Sequence, residues 1–207
     1  MKKRNLILVR HGQSEWNAKD LFTGWENPGL TKEGYLEAER AGKLIKELGI
    51  KVDFLFTSAL ARAQITGEII LDTIEQANIP IKKDQALNER FYGNLQGLNK
   101  QDCRNKWGNK KVQMWRRSYD MAPPGGESLK QTGERVIPYF ENEMLPLLLD
   151  GMNVLVAAHG NSLRVLIKSL DCISDKDITH LEIPTGSPIH YTFNAEGLVI
   201  NKKNLIK

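Results

Sequence analysis

Leu6-Ile7-Leu8-Val9 runs without interruption into Arg10-His11-Gly12. A short apolar run reads as a buried β-strand, predicted here over residues 5–10, and this one stops on a cation, an imidazole and a glycine. In parallel α/β sheets ligands bind outside the carboxyl ends of the strands. A nucleophile beside a fixed positive charge, on backbone able to turn tightly, is a starting arrangement for phosphoryl chemistry. The pattern recurs far along the chain, where Val154-Leu155-Val156-Ala157-Ala158 leads into His159-Gly160-Asn161-Ser162.

Working outward from these two strands, helical and extended patterns alternate. Thr31 caps a predicted helix to about Leu48, with Ala38, Ala41, Leu44, Ile45 and Leu48 as its apolar stripe and Gly49 as its stop. Residues 54–57 read as a strand, and Ser58 as the cap of a helix to about Asn78. A further strand is predicted at 79–82, in spite of Pro80. Ser128 and Gln131 have capping-box spacing and open a helix to about Leu149, with a possible kink at Pro138. A strand at 153–158, a helix at 162–170 and a capping box at Ser174 and Asp177 follow. Strands at 188–194 and 197–201 close the chain around Glu196-Gly197. Alternation of this kind predicts an α/β fold, a three-layer α/β/α sandwich with a mostly parallel central sheet. One unit is expected over 1–207. A helical cover at about 99–126, built on helices at 99–107 and 110–117, spans the region where periodicity weakens.

The chain has 207 residues, 41% hydrophobic and 26% charged, with a net charge of +4. The charge favours anionic partners, whether phosphorylated metabolites or nucleic acid. The two cysteines, Cys103 and Cys172, are expected as free thiols, and a cytoplasmic location is expected, because no signal-like or membrane-length apolar run occurs.

The residues that carry chemistry have bland and functional readings. Arg10-His11-Gly12 alone fits a structural histidine beside a surface arginine; functionally, His11 accepts a phosphoryl group while arginine stabilises its oxygens. His159 ends a strand and opens a helix, where free N–H groups favour an anion. Arg62, flanked by small apolar residues, is either a solvated helical charge or a planar fork for phosphate. Glu89 is either an ion-pair partner or a general acid/base. The stretch 100–117 carries Lys100, Arg104, Lys106, Lys110, Lys111, Arg116 and Arg117 around Trp107 and Trp115. It fits a charged helical surface, a nucleic-acid face or a basic lid over a small polyanion.

Taken together, these residues resemble the cofactor-dependent phosphoglycerate mutases of the histidine phosphatase superfamily, over nearly the full length. The resemblance rests on Arg10-His11-Gly12-Gln13-Ser14-Glu15-Trp16-Asn17, on Phe22 to Trp25, on Asn88 to Lys100, on Trp115-Arg116-Arg117, on Ala157 to Arg164 and on Ile183 to Gly186. It implies an isomerase of glycolysis and gluconeogenesis that interconverts 3-phosphoglycerate and 2-phosphoglycerate. In this family a phosphohistidine enzyme is primed by 2,3-bisphosphoglycerate, passes through the same compound as intermediate, and uses no metal. By the resemblance His11 is the phosphoryl carrier, Glu89 the proton donor and acceptor, and Arg10, Arg62 and His159 stabilise the transferring group. Asn17, Thr23, Gly24, Arg90, Phe91, Tyr92, Lys100, Arg116, Arg117, Gly160 and Asn161 fall at substrate-binding positions.

The expected partners are small phosphoglycerates, not nucleic acid or membrane. Gln13 stands where many members carry glutamate. The direct passage from Pro123-Pro124 to Glu127-Ser128 lacks a loop that longer mutases carry, so the familiar dimer contacts cannot be assumed, and monomer and homo-oligomer both stay open. Lys202, Lys203 and Lys207 form a basic tail, a second candidate cover. A phosphatase of the same superfamily is the main alternative, and a non-enzymatic polyanion binder the third.

Overall fold

The apolar runs before His11 and His159 are strands buried on both faces. In the structure, a computed structural model that describes residues 4–206, β1 (Arg4–Arg10) is flanked by β4 (Val154–Ala158) in parallel and by β5 (Pro188–Phe193) antiparallel. β2 (Phe54–Thr57) lies parallel between β4 and the short β3 (Ile81–Lys83), and β6 (Val199–Asn204) closes the far edge antiparallel to β5. The order is β3-β2-β4-β1-β5-β6.

Alternate side chains of the inner strands feed two cores. Ile7, Val9, Leu55, Leu155 and Ala157 pack on α2 (Lys32–Lys46) and α3 (Ala61–Thr73) through Ala41, Ile45, Ile70 and Leu71. Leu6, Leu8, Phe56, Val154 and Val156 face the opposite layer. That layer contains α6 (Leu129–Tyr139), a π-helical turn (Phe140–Met144), α7 (Leu145–Leu149) and α8 (Gly160–Leu170). Leu6 to Val9 are fully buried, and at about 1.5–3 kcal/mol for each large side chain they anchor the sheet's centre. The sandwich is therefore as expected.

A third, smaller cluster lies outside the layers. Phe22, Leu95, Cys103, Val112 and Trp115 pack together beneath α4 (Lys100–Trp107) and α5 (Asn109–Arg117). Trp107 and Trp115 meet edge to face at 5.7 Å, so the indoles that suggested a stacking surface for bases are spent on packing. The helical part of the cover ends at Arg117; residues 118–126 are turns and irregular chain.

Several boundaries differ from expectation, each for a local reason. The helix after β2 starts at Ala61 and stops at Thr73, because residues 58–60 form an extended corner with Leu60 as the cap. β3 is shifted past Pro80, whose carbonyl accepts from Leu55 N–H. The helix from Leu129 runs on to Leu149, but a π turn follows Pro138 closely, as often happens where the regular hydrogen-bond ladder is disturbed. α8 begins at Gly160, two residues early, with His159 as its cap. Ser174 does bond with Asp177, but opens only a short 3-10 turn at Asp177–His180. The final strand lies at Val199–Asn204 rather than 197–201. The unexpected α1 (Glu15–Ala18) interrupts the first loop, where Ser14 and Asn17 cap each other. Lys202 and Lys203 belong to β6, with Lys202 paired to Asp171; Lys207 lies outside the described residues. Cys103 is buried and Cys172 exposed, both free. No helix among the described residues is long and apolar enough to cross a membrane.

Candidate active site

Register brings the two strand-end histidines together. Arg10 is paired with Ala158 across β1 and β4, and His11 N–H donates to the Ala158 carbonyl at 2.9 Å. The imidazoles of His11 and His159 follow at the same level, with centroids 4.9 Å apart. The chain then turns so closely against α2 that a Cβ on Gly12 would stand 2.2 Å from the Gly34 carbonyl oxygen. Gly12 N–H donates to Thr66 Oγ1 at 3.0 Å.

The ring partners define what each imidazole can do. His11 Nδ1 donates to the Gly12 carbonyl at 2.7 Å, so the lone pair is on Nε2, which faces Arg62 Nε at 3.4 Å. His11 is 2% exposed. Burial, then the charges of Arg62 and Arg10, hold it well below the ordinary imidazole value, so it is neutral at pH 7. His159 is also held well below that value, by burial first and then by Arg62. Its Nε2 lies 2.7 Å from Ser58 Oγ. That hydroxyl already accepts from Leu60 N–H at 3.1 Å and has its own proton to give. With the serine proton given to Nε2, the His159 proton sits on Nδ1, a buried nitrogen without a hydrogen-bond partner.

Arg62, in the first turn of α3, is 1% exposed. Its two terminal nitrogens donate to the carbonyls of Gly24 at 2.9 Å and Glu26 at 2.8 Å, which ties the 24–26 loop beside His11. Burial lowers this guanidinium to about 10, against the opposing pull of Glu89, so it stays charged at neutral pH. Arg10 donates Nη1 to the Ile183 carbonyl at 2.7 Å, while its Nε is buried without a partner.

Glu89 comes from a stretch with no regular element. Its Oε1 accepts from Arg90 N–H at 2.7 Å, Asn161 N–H at 3.2 Å and Asn161 Nδ2 at 2.8 Å, so the first turn of α8 supplies donors to a carboxylate. Oε2 is turned toward Gly160, where an added Cβ would lie 3.7 Å from it and 3.5 Å from Arg10 Nε. Tyr92 OH accepts from Arg90 Nη2 at 3.0 Å and Asn161 Nδ2 at 3.3 Å. Burial raises this phenol, yet the adjacent Arg90 charge and the two donated bonds bring it below its ordinary value.

Two cavities meet at Tyr92. One, of about 260 Å³, is lined by Arg10, Arg116, Arg117, Gly160, Asn161 and Arg164 among others. The other, of about 70 Å³, is lined by Asn17, Thr23, Gly24, Glu89 and Lys100. Lys100 is paired with Asp20 at 2.8 Å, and Arg117 with Glu182. Burial lowers the Arg116 guanidinium. Five residues expected at the site line neither cavity: His11, Arg62 and His159, all buried, and Arg90 and Phe91. Arg90 is fully buried behind Tyr92, with Nη2 on the Arg116 carbonyl at 2.9 Å, and the Phe91 ring packs on Trp25. A third cavity, about 800 Å³ between α5 and residues 175–180, shares only Arg117 with the expected set. No cluster of three or more His, Cys, Asp or Glu that could hold a metal occurs among the described residues.

Four side chains at or behind the site escaped the sequence reading: Ser58, Thr66, Arg135 and Arg164. Arg164 had a signal, since it stands three residues past Asn161 on one face of a helix. It donates to Asn161 Oδ1 at 3.0 Å and to the Ile178 carbonyl at 2.6 Å. Ser58, Thr66 and Arg135 had none, because their partners are remote in the chain.

A model of the histidine phosphatase superfamily (branch 1) matches residues 6–206. The chain is 56% identical over 202 residues to the 2,3-bisphosphoglycerate-dependent phosphoglycerate mutase of Parvibaculum lavamentivorans, covering 98% of this chain and 96% of that one. It is 55% identical to the protein of the same name from Brucella anthropi, over 98% of each. Among solved structures, Bacillus stearothermophilus YhfR superposes with a TM-score of 0.82 at 24% identity, over 94% of this chain and 93% of that one. At that identity the likeness is one of fold.

Proposed function

The chain belongs to the histidine phosphatase superfamily, and from that premise we propose that it interconverts 2-phosphoglycerate and 3-phosphoglycerate in glycolysis through a phosphorylated His11. The observation that carries the chemistry is a buried, neutral His11 whose Nε2 faces Arg62 at 3.4 Å and whose ring lies 4.9 Å from that of His159.

Phosphoryl transfer asks little covalent work of a protein and much positioning and charge stabilisation. His11 Nε2 forms the new bond to phosphorus. Its Nδ1–H, held on the Gly12 carbonyl, keeps the ring's orientation as positive charge develops. Arg10, Arg62 and His159 surround the oxygens of the transferring group with donors on a buried floor, where His11, Arg62 and His159 are each at most 2% exposed. Glu89 Oε2 gives a proton to the departing substrate oxygen and takes it back from the hydroxyl that later attacks. Lys100, Arg116 and Arg117 hold the remaining anionic groups, with Asn17, Thr23, Gly24, Tyr92, Gly160 and Asn161 shaping the walls. Arg90 and Phe91 act from behind, through Tyr92 and the backbone of the Glu89 loop.

2,3-Bisphosphoglycerate, when bound, supplies the phosphoryl group that charges His11. The donor set suits such a primer: the buried Nε atoms of Arg10 and Arg164 have no hydrogen-bond partner, and both residues line the larger cavity. The test is formation of 2-phosphoglycerate from 3-phosphoglycerate, with and without the bisphosphate and in the presence of a metal chelator, alongside release of inorganic phosphate. Turnover that depends on the primer and survives the chelator is expected, with His11→Ala losing both turnover and phosphoenzyme. Phosphate release outrunning isomerisation would replace this reading with a phosphatase.

A further inference from the structure

The loop that presents Glu89 lies between two short turns, at Gln85–Leu87 and Gly93–Leu95, and no strand or helix holds its carbonyls. A single guanidinium from the opposite layer does so. Arg135 Nη1 donates to the carbonyls of Ala86 at 2.6 Å and Asn88 at 3.0 Å, and Nη2 to that of Glu89 at 3.0 Å. The fork is itself fixed by Glu127: Nη2 meets Oε1 at 2.6 Å and Nε meets Oε2 at 3.3 Å. Glu127 Oε1 also accepts from Phe91 N–H at 2.8 Å. One ion pair therefore grips both sides of the segment, carbonyls on one and an amide on the other.

The platform beneath it is rigid. α6 starts at a reciprocal cap between Ser128 and Gln131 and is seated on the core by Leu129 and Val136. The Trp25 indole adds a second donor to the Glu89 carbonyl at 2.7 Å. Arg135 lines neither site cavity.

We propose that Arg135, anchored by Glu127, is a positioning residue that sets the Glu89 carboxylate at the proton-transfer point without touching substrate. The proposal rests on the proton-transfer role of Glu89 given above. A lysine in this place keeps the charge but loses the fork that spans successive carbonyls. The carboxylate is then free to drift while its local donors remain.

Two phosphoryl donors separate positioning from general damage. The alkoxide leaving from 2,3-bisphosphoglycerate needs a proton, whereas the phenolate leaving from p-nitrophenyl phosphate does not. Single-turnover phosphorylation of His11 is measured with each donor for the wild type, Glu89→Gln, Arg135→Lys, Arg135→Ala and Glu127→Gln, with folding followed by circular dichroism. Arg135→Lys is expected to lose about 10²-fold with the bisphosphate, the scale of an ångström's misplacement, while staying within about threefold with the aryl phosphate. Glu127→Gln should show the same selective loss to a lesser degree, and added guanidinium should restore the bisphosphate rate in Arg135→Ala. Equal losses on both donors, or no loss on either, overturn the proposal even where Glu89→Gln is selective. A Glu89→Gln enzyme that treats both donors alike overturns the role of Glu89 and this proposal with it.

Discussion

Ser58→Ala removes one hydroxyl from the floor of the site, where Ser58 and His159 are both completely buried. The lost bond to His159 Nε2 is 2.7 Å long, and Leu60 N–H loses its acceptor as well. Leaving such buried groups unsatisfied costs about 1–3 kcal/mol. In a domain of this size that corresponds to a fall in Tm of roughly 2–10 °C. Catalysis suffers separately. A serine proton given to Nε2 keeps the other imidazole proton on Nδ1, the buried nitrogen free to donate to a transferring group. The tautomer bias is worth about one hydrogen bond, roughly tenfold in rate, and complete loss of a donor to a developing oxyanion costs about 10²–10³-fold. Phosphoenzyme formation in Ser58→Ala is therefore expected to slow by roughly 10–10²-fold, read in a single turnover with labelled 2,3-bisphosphoglycerate. Nitrogen-15 spectra of His159 should show the Nδ1–H form losing its dominance. A variant that loses Tm as expected yet phosphorylates within about threefold of the wild-type rate would refute the assignment of that proton.

Two other outcomes follow from the charges. His11 and His159 are held well below the ordinary imidazole value, so below pH ~6.5 the unfolded chain binds protons that the native site refuses. The stability they contribute is complete above that pH and is lost as pH falls through the lowered native values. The urea midpoint should decline on acidification from about pH 6.5, less steeply in His11→Gln, and the acid limb of phosphoenzyme formation should lie below the same point; a limb at or above it contradicts a buried neutral nucleophile. Glu182 occupies Arg117 at the cavity mouth and is largely exposed, so the pair is screened and worth about 0–1 kcal/mol. Glu182→Gln is expected to lower KM for 3-phosphoglycerate by up to roughly fivefold at low salt, with kcat little changed; an unchanged or raised KM shows that Glu182 does not compete with substrate.

The strands β1 and β4 were legible because they are buried on both faces. A sheet centre leaves no choice of residue type, and four or five apolar residues in a row can hardly be anything else in a chain this polar. The residues just past those strands were legible for the same reason, since the end of a central parallel strand is where a site is built. Helix limits were less legible. Ser58 has the chemistry of a cap, and local rules assign it to α3; tertiary structure spends it on an imidazole 101 positions away. The π turn is invisible to periodicity because it changes the phase without changing composition. Basic residues of the cover looked equivalent in the sequence. The fold separates them by partner: Lys100 to Asp20, Arg104 to Gln101, and Arg117 to Glu182.

That separation follows from packing. The phosphoryl-handling groups sit on the sheet ends and on α3, held by the two main cores. The groups that meet the rest of the substrate ride on the third cluster: Phe22 precedes Thr23 and Gly24, Leu95 precedes Lys100, and Trp115 precedes Arg116 and Arg117. Arg62 joins the two units, because it faces His11 with Nε and binds the 24–26 loop with both terminal nitrogens. The phosphoryl centre and the loop that carries Thr23 and Gly24 are thus tied through one side chain. Six of the seven buried polar atoms without partners among the described residues belong to Arg10, Thr23, Arg90, His159 and Arg164. Protein interiors tolerate few such groups, and their concentration around one site makes acceptance of a polyanion favourable before any bond to phosphorus is formed.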